Sequence, residues 1–419
     1  MSVALKAKVA KVYVGVGGQS VRSVKNVIGK DLTEGTIVSQ EMVDELMEMN
    51  RNMTYQDMEI IDAAAQEYKV DNQLQVDPVG IQCTRLEGNF LNILWRKNFY
   101  SKLNKCFDGA NVAIAELRLA PLALADCLLT DGERRSGCVL VDLGADTTTV
   151  SVYYKNKLRH IAVIPLGGNN ITKDIASLQM EESVAEKMKL KYGTAYTDNN
   201  DIDSTLMLPI DNERSVENRK FVEIVEGRMM EIIENVWCQV PTEYTDRLLG
   251  GIILTGGGAN MKNIERAFQN HTHIDKIRVA KFVKLDIKSN HADITEHNSM
   301  MNTVLGILNK GDMNCAGEET TENASLFDNP QQQRTTPTTD ELHQNPRKLS
   351  ELDPGVVLTE AEKNKAEEQR RRAAEEAAIK EQEEARQKAA EEEELKKKKS
   401  LKNRFRQMRT MLGKLIKEE

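Results

Sequence analysis

Two buried strands that each run into a glycine turn constrain this chain more than any other feature. Residues 138–165, around VDLGADTTTVSVYY, have the pattern of a strand, a tight turn and a strand. Residues 250–268, GGIILTGGGANMKNIERAF, have the pattern of a buried strand, a glycine turn and a helix. Helix-rich sequence fills the interval from 170 to 250. Strands alternating with helices predict an α/β core.

The two turns are candidates for holding a phosphate group. Gly144 lets the backbone approach an anion closely, and Thr147 can offer a hydroxyl and a backbone N–H. Asp142 is placed where a carboxylate can hold the water shell of a metal ion. The glycines at 256–258 lie between a strand and a helix, where a nucleotide can rest on the backbone. The first turn alone is equally well explained as an ordinary hairpin turn, and the second alone is better explained as a tight strand-to-helix turn. Together they favour a shared nucleotide cleft.

The composition changes at Gly311. Residues 312–358 are rich in Thr, Asn, Gln, Glu and Pro, which predicts a disordered linker. Residues 359–399 are nearly all Ala, Glu, Lys, Arg and Gln without a sustained a/d seam, which predicts a solvated charged helix rather than a coiled coil. The formal net charge of -8 argues against nucleic acid as a partner. The six scattered cysteines are typical of reduced thiols in a cytoplasmic protein.

The last twenty residues, 400–419, predict a basic amphipathic helix. Its apolar side chains share about 140° of arc, with basic side chains on the other side. Residues 396–419 hold ten Lys or Arg and two Glu. Such a helix suits an anionic membrane surface; the alternative is a helix that packs on a protein core or a calmodulin-like partner. The predicted membrane-binding residues are the apolar Leu401, Phe405, Met408, Leu412, Leu415 and Ile416 and the basic Lys402, Arg406 and Arg409.

Longer stretches resemble a known family. GCVLVDLGADTTTVSVYYKNKLRHIAVIPLGGNNITKDIA resembles the second phosphate loop of the actin, Hsp70 and sugar-kinase superfamily. Its continuation, with AEKMKLKYGTA, is similar to the bacterial cell-division family FtsA, and VYVGVGGQS with the unit after it resembles that family's inserted subdomain. The resemblance runs from about residue 10 to 310, and the long tail resembles Bacteroidetes-type members of the family.

The resemblance implies an actin-like (ribonuclease H-like) α/β ATPase fold with an inserted α+β subdomain of the SHS2 type. The implied divisions are 1–97 for the inserted subdomain, 98–137 for the rest of the first actin-like subdomain, 138–170 with 250–311 for the second core subdomain, 171–249 for a smaller helical subdomain, 312–358 for the disordered linker, 359–399 for the charged helix and 400–419 for the amphipathic membrane-binding helix.

Site residues carry over by position. The resemblance implies that ATP and Mg²⁺ bind in the cleft, with the metal held by Asp142 through water. It assigns no catalytic residue and at most weak ATPase activity. The implied nucleotide contacts are Asp142, Gly144 and Thr147 in the second phosphate loop, Glu186 and Lys189 beside the ribose or adenine, and Gly257, Gly258, Ala259 and Asn260 in the adenosine loop.

Two departures from the family weaken this expectation. The family's DIGGGTTD is here DLGADTTT, so Ala145 and Asp146 add a methyl group and a negative charge where a phosphate would approach, and Thr149 replaces the terminal acid. A like charge near a triphosphate disfavours binding unless a metal or lysine offsets it. The first phosphate loop, expected before Lys11, has no counterpart in the sequence. We therefore expect a nucleotide cleft with one of its two phosphate loops, and an open sheet edge.

The function that the resemblance implies is to anchor FtsZ filaments to the inner face of the cytoplasmic membrane at the division site. The implied partners are the C-terminal peptide of FtsZ, bound by the smaller subdomain, anionic inner-membrane lipids, other division proteins and further copies of the chain in filaments. The alternatives are a nucleotide-independent adaptor or inactive fragment, and an ATP-dependent enzyme such as a sugar kinase. An Hsp70-like chaperone would require a β-rich domain after residue 310.

Overall fold

The computed structural model describes residues 9–313, 315, 353–360, 362–369 and 371–372. Those up to residue 360 belong to one compact unit, and the helical residues 362–369 and 371–372 belong to a second. The predicted amphipathic helix at 400–419 lies outside the described residues, as do most of the predicted linker and most of the charged helix. No helix in the described part of the chain is long and apolar enough to span a bilayer.

The first unit combines fourteen described strands with eleven helices. The strands are β1 (Lys11–Val16), β2 (Arg22–Asp31), β3 (Met58–Val70), β4 (Gln73–Gln75), β5 (Arg85–Arg96), β6 (Ala113–Leu119), β7 (Cys138–Leu143), β8 (Thr148–Tyr154), β9 (Lys157–Ile164), β10 (Met207–Pro209), β11 (Ser215–Glu217), β12 (Gly251–Thr255), β13 (Ile277–Val279) and β14 (Val356–Val357). The helices are α1 (Gln40–Arg51), α2 (Lys97–Gly109), α3 (Ala120–Leu128), α4 (Asp131–Ser136), α5 (Gly168–Ala176), α6 (Glu182–Tyr192), α7 (Asn218–Cys238), α8 (Thr242–Thr245), α9 (Ile264–Thr272), α10 (Ala292–Thr295) and α11 (Asn302–Asn309).

The inserted subdomain is one antiparallel sheet of four strands with one helix, in the chain order β2, α1, β3, β4, β5. Its strands lie in the order β2-β5-β3-β4, and α1 packs on β2, β3 and β5. Ser39 caps α1: its hydroxyl accepts the Met42 N–H (3.4 Å). The alternation of apolar residues along the strands places Leu86 and Phe90 in the core against Leu46 of the helix.

The predicted boundary of 1–97 is wrong for β1. This strand pairs in parallel with β6, from Lys11 opposite Ala113 to Val16 opposite Leu119, and lies outside the inserted sheet. Alternation along β1 predicts a strand but not its partner, which is about a hundred residues away in sequence. Among the described strands β1 pairs with β6 alone.

The second core sheet has the order β13-β12-β7-β8-β9. Strands β13, β12 and β7 are parallel, and β7, β8 and β9 form antiparallel hairpins. Helices α5, α6, α7 and α9 contribute to the core on one face, and α3 and α11 to the core on the other. Burial on both faces explains why β7 and β12 read as continuous apolar runs. A single residue pair, Arg22 with Ala162, joins β2 to β9 and so connects this sheet to the inserted one.

The predicted smaller subdomain, 171–249, is mainly helical in the structure, with one short hairpin of β10 and β11. Its longest helix, α7, buries one face along its length, including Phe221 and Met229. These side chains share a core with the sheet residues Val139 and Leu254. The helices therefore position α6 directly beside the ends of β7 and β12.

The prediction of disorder through residue 358 is wrong at its C-terminal end. Residues 353–358 dock on the first unit, where β14 pairs antiparallel with β6. Val356, Val357 and Leu358 are all buried. The average composition of 312–358 hides these three adjacent aliphatic residues, and their strand partner is more than two hundred residues earlier in the chain. Composition alone could not predict that contact.

Candidate functional site

The turn between β7 and β8 is closed by Gly144. Its N–H donates to the carbonyl oxygen of Thr147 (3.0 Å), and a Cβ at position 144 would lie 2.7 Å from that oxygen. Ala145 and Asp146 at the tip are exposed. Within the described residues, no hydrogen bond uses their backbone N–H groups. Consecutive free N–H groups at a turn are suited to an anion.

The N-terminus of α5 fixes the shape of this turn. The N–H groups of Gly168 and Asn169 donate to the carbonyls of Gly144 (3.0 Å) and Ala145 (2.8 Å). The Asn169 side chain also donates to Asp146 Oδ1 (2.9 Å). The turn carbonyls are thereby satisfied, and the carboxylate that departs from the family sequence is held to one side by an amide.

Asp142 lies at the end of β7, against the glycine loop. In the ladder it is opposite Thr255 of β12 and Thr149 of β8. Burial raises the pKa of Asp142 to about 6, although a hydrogen bond with Thr303 lowers it. A Cβ at Gly256 would be 2.4 Å from Asp142 Oδ1, and Gly256 has a φ of +85°. Only glycine fits this position.

The glycine loop continues as a short 3-10 turn at Gly257–Asn260. Gly257 is exposed, and a Cβ at Gly258 would lie 3.0 Å from the Leu143 side chain. Asn260 is exposed and donates through Nδ2 to the carbonyl of Asn298 (2.6 Å). Ala259 points the other way: its side chain is buried in the main core. Of the four predicted loop residues, Asn260 can therefore offer a ligand a side chain, and the two glycines and Ala259 can offer only their backbone.

Glu186 and Lys189 form an ion pair on one face of α6, as their spacing predicts (2.7 Å). Thr172 of α5 donates to Glu186 Oε2 (2.5 Å) and accepts from Lys189 Nζ (2.8 Å). Burial raises the pKa of Glu186, but the hydrogen bonds from Lys189 and Thr172 outweigh it and leave that pKa below its usual value. Lys189 also donates to the carbonyl of Gly168 (3.0 Å), which ties α6 to the turn at 144–147.

The structure brings the predicted site residues to one place, the carboxyl ends of β7 and β12. Gly168 connects the pair on α6 to the β7–β8 turn, and Gly256 and Gly258 pack on the end of β7. A bridge between Thr194 and Lys262 closes the far side, joining the chain after α6 to the chain after the glycine loop. In the described residues, no group of three or more His, Cys, Asp or Glu is arranged to hold a metal ion.

Sequence reasoning missed the residues that support this site. The predicted set lacks Gly168, Asn169, Thr172 and Thr303, although the structure places each in contact with a predicted residue. A signal existed for two of them, because a Gly-Gly pair before NNIT is a helix start whose N–H groups must find partners. Thr172 and Thr303 carry no such signal.

The sheet with helices on both faces, the two turns at its edge and the inserted subdomain of four antiparallel strands and one helix define an actin-like α/β fold. A solved structure, the PilM-PilN type IV pilus biogenesis complex, has this fold at a TM-score of 0.50 and 14% identity, covering 73% of this chain and 81% of that chain. At that identity the likeness concerns the fold alone.

The sequence comparisons identify the family. The profile described as "Cell division protein FtsA" matches residues 139–305, and "SHS2 domain inserted in FTSA" matches residues 18–94. Two relatives are the cell division proteins FtsA of Porphyromonas gingivalis, 28% identical over 79% of this chain, and of Neisseria meningitidis serogroup B, 30% identical over 61%. This chain spans 70% and 64% of their respective lengths. The chain belongs to the FtsA family of cell division proteins, as its sequence motifs indicate.

Gly256→Ala should destabilise the protein by about 1–3 kcal/mol, because it forces a positive φ on a side chain and drives a Cβ into the Asp142 carboxylate. The measurement is urea-induced unfolding. The matched control is Gly227→Ala within α7, where a Cβ would meet no atom within 4 Å. That control should stabilise the protein by about 0.5–1 kcal/mol. Equal effects at the two positions would contradict the close contact.

Asp142→Asn should change how stability depends on pH. Between the ordinary aspartate pKa near 4 and about 6, the folded protein keeps a proton on Asp142 that the unfolded chain releases. Asp142 therefore lowers stability as pH rises through that window, and the amide does not. The difference in unfolding free energy should shift by roughly 2–3 kcal/mol in favour of the variant from about pH 4 to pH 7. A difference that is constant with pH would disprove the buried carboxyl.

Proposed function

We propose that the face formed by residues 142–147, 186–189 and 256–260 binds an adenine nucleotide. The observation that carries this proposal is the convergence of two glycine turns and one ion pair at the same edge of the sheet. The phosphates would lie on the free N–H groups of Ala145 and Asp146 and against the backbone of the glycine loop. Glu186 and Lys189 would hydrogen-bond the ribose, which offers both donors and acceptors.

Magnesium would enter with the nucleotide. Mg²⁺ keeps several waters and is usually bound by one or two carboxylates together with substrate phosphates. Asp142 fits this role because it ends β7 and is the largely buried carboxylate beside the glycine loop. The ion would supply positive charge where Asp142 and Asp146 oppose the phosphates. We propose that nucleotide acts mainly as a structural ligand, with at most weak hydrolysis.

The wider proposal follows from membership in the FtsA family. We propose that the chain links FtsZ filaments to the cytoplasmic membrane at the division site and assembles with other division proteins and with further copies of itself. The smaller helical subdomain would bind the C-terminal peptide of FtsZ. Residues 400–419, which lie outside the described structure, would lie on anionic lipid through their apolar stripe and basic flank.

A nucleotide-independent adaptor is the second candidate, and one observation favours it. The polar groups of the site already satisfy one another: Lys189 bonds Glu186 and Thr172, and Asn169 holds Asp146. Because these side chains already have hydrogen-bond partners, a nucleotide would have to replace existing bonds, which lowers the free energy gained on binding. Calorimetric titration of Mg–ATP into the full chain separates the two candidates, since the adaptor gives no binding.

Lys189→Ala should weaken Mg–ATP binding by about tenfold or more, since hydrogen bonds to charged groups contribute roughly 1.5–3 kcal/mol. The matched control is Lys187→Ala, two residues away on an exposed part of α6. It should change the dissociation constant by less than about twofold, because an exposed lysine off the site contributes only weak, screened attraction. Equal losses in both variants would show that α6 acts through net charge rather than through a ribose contact.

Removing residues 400–419 should abolish flotation of the chain with liposomes that contain anionic lipid. A sharper pair adds the same charge on opposite sides of the helix: Leu412→Asp on the apolar stripe should strongly reduce flotation, and Thr410→Asp should reduce it only slightly. Raising the salt concentration should weaken binding of the unmodified chain because basic residues contribute about 1 kcal/mol each near anionic lipid. Flotation that survives the deletion would contradict the membrane proposal.

A further inference from the structure

Residues 353–358, the clasp segment, occupy the edge of β6 that faces away from β1. The segment lies antiparallel to β6, with Val356 opposite Arg118 and Val357 opposite Leu117. The N–H of Leu119 donates to the carbonyl of Gly355 (2.7 Å). Strand β6 is thus paired on both edges, in parallel by β1 and antiparallel by a segment from far along the chain.

Two polar side chains from other elements form hydrogen bonds with the backbone of the clasp segment. Asp62 Oδ2 on β3 accepts the N–H of Gly355 (3.0 Å), and Tyr100 on α2 donates its hydroxyl to the carbonyl of Leu358. Both side chains are largely buried. A strand edge, a carboxylate and a hydroxyl therefore line one groove, and each of them bonds to main-chain groups of an extended peptide.

Side-chain contacts add selectivity to this groove. Val357 packs in a core cluster that includes Leu117, Tyr100 and Trp95. Gly355 has a φ of +85°, and a Cβ there would lie 3.2 Å from the Leu122 side chain. The groove therefore fits an extended segment in which a glycine precedes two or three aliphatic residues. This is the chemistry of peptide recognition by β-strand addition.

We propose that the edge of β6, Asp62 and Tyr100 form a peptide-binding site, and that the clasp segment occupies it as a tethered, exchangeable ligand. Its strand pairing is only two residues long, and residues 314–352 connect it to the rest of the first unit. Tethering a ligand to its own site typically gives an effective concentration on the order of millimolar. A ligand of modest intrinsic affinity stays docked under that condition, yet can exchange with a free peptide when the tethered copy is disabled.

The test adds the segment back in trans. A fluorescent peptide of residues 353–360, acetylated and amidated, is titrated into three full-length chains: unmodified, Val357→Asp, and Val76→Asp. Val76 is an exposed valine at a bend, so the control makes the same substitution without touching the groove. The peptide should bind the Val357→Asp chain at least about tenfold more tightly than the other two, since their sites are filled by the tethered copy.

Hydrogen exchange at the Leu119 amide supplies a second readout. Exchange should be slow in the unmodified chain, faster in Val357→Asp, and slow again after the peptide is added; a peptide carrying Asp in place of Val357 should not restore it. The same experiment is repeated with a chain that lacks residues 353–358, which empties the groove without introducing the charge of Val357→Asp. The proposal is overturned if the peptide binds neither modified chain, if it binds all chains equally, or if Leu119 exchange does not respond.

Discussion

The structure of the site depends on the contact between the glycine loop and the end of β7. Strands β12 and β7 run in parallel with Thr255 opposite Asp142, so the chain leaving β12 must pass directly over Asp142 and Leu143. Gly256 and Gly258 make this passage possible because neither adds a Cβ to a gap that has no room for one. The same contact buries Asp142 and raises its pKa. At this contact, the groups that remain available to a ligand are therefore the backbone of the glycine loop and the Asp142 carboxylate.

Charge is the second constraint. Asp142 and Asp146 lie near the proposed phosphate position and Glu186 lies beside the proposed ribose position. Lys189 is already paired with Glu186. Each acid has a local partner: Thr303 for Asp142, Asn169 for Asp146, and Lys189 with Thr172 for Glu186. Hydroxyl and amide partners orient a carboxylate without neutralising it. A bound triphosphate would consequently depend on its metal ion more strongly than in a glycine-only loop.

Local signals in the sequence predicted local structure well. The two glycine turns and the strands that lead into them each depend on residues only a few positions apart. What failed was pairing at long range. The strand at 11–16 was assigned to the wrong sheet, and Val356 and Val357 were hidden in a polar stretch, because in both cases the partner is β6. Family positions placed Ala259 in the loop, but its burial depends on which way a 3-10 turn faces.

Strand β6 also connects the clasp segment to the candidate site by a short physical path. Leu119 ends β6 and Ala120 begins α3. Helix α3 packs so closely on α11 that a Cβ at Gly306 would lie 2.9 Å from the carbonyl of Ala123. Helix α11 carries Thr303, the hydrogen-bond partner of Asp142. Contact alone is not energetic coupling. Because closely packed interiors transmit strain, we expect release of the clasp segment to perturb the hydrogen bond that orients Asp142, and a double-mutant cycle between Val357 and Thr303 measures that coupling.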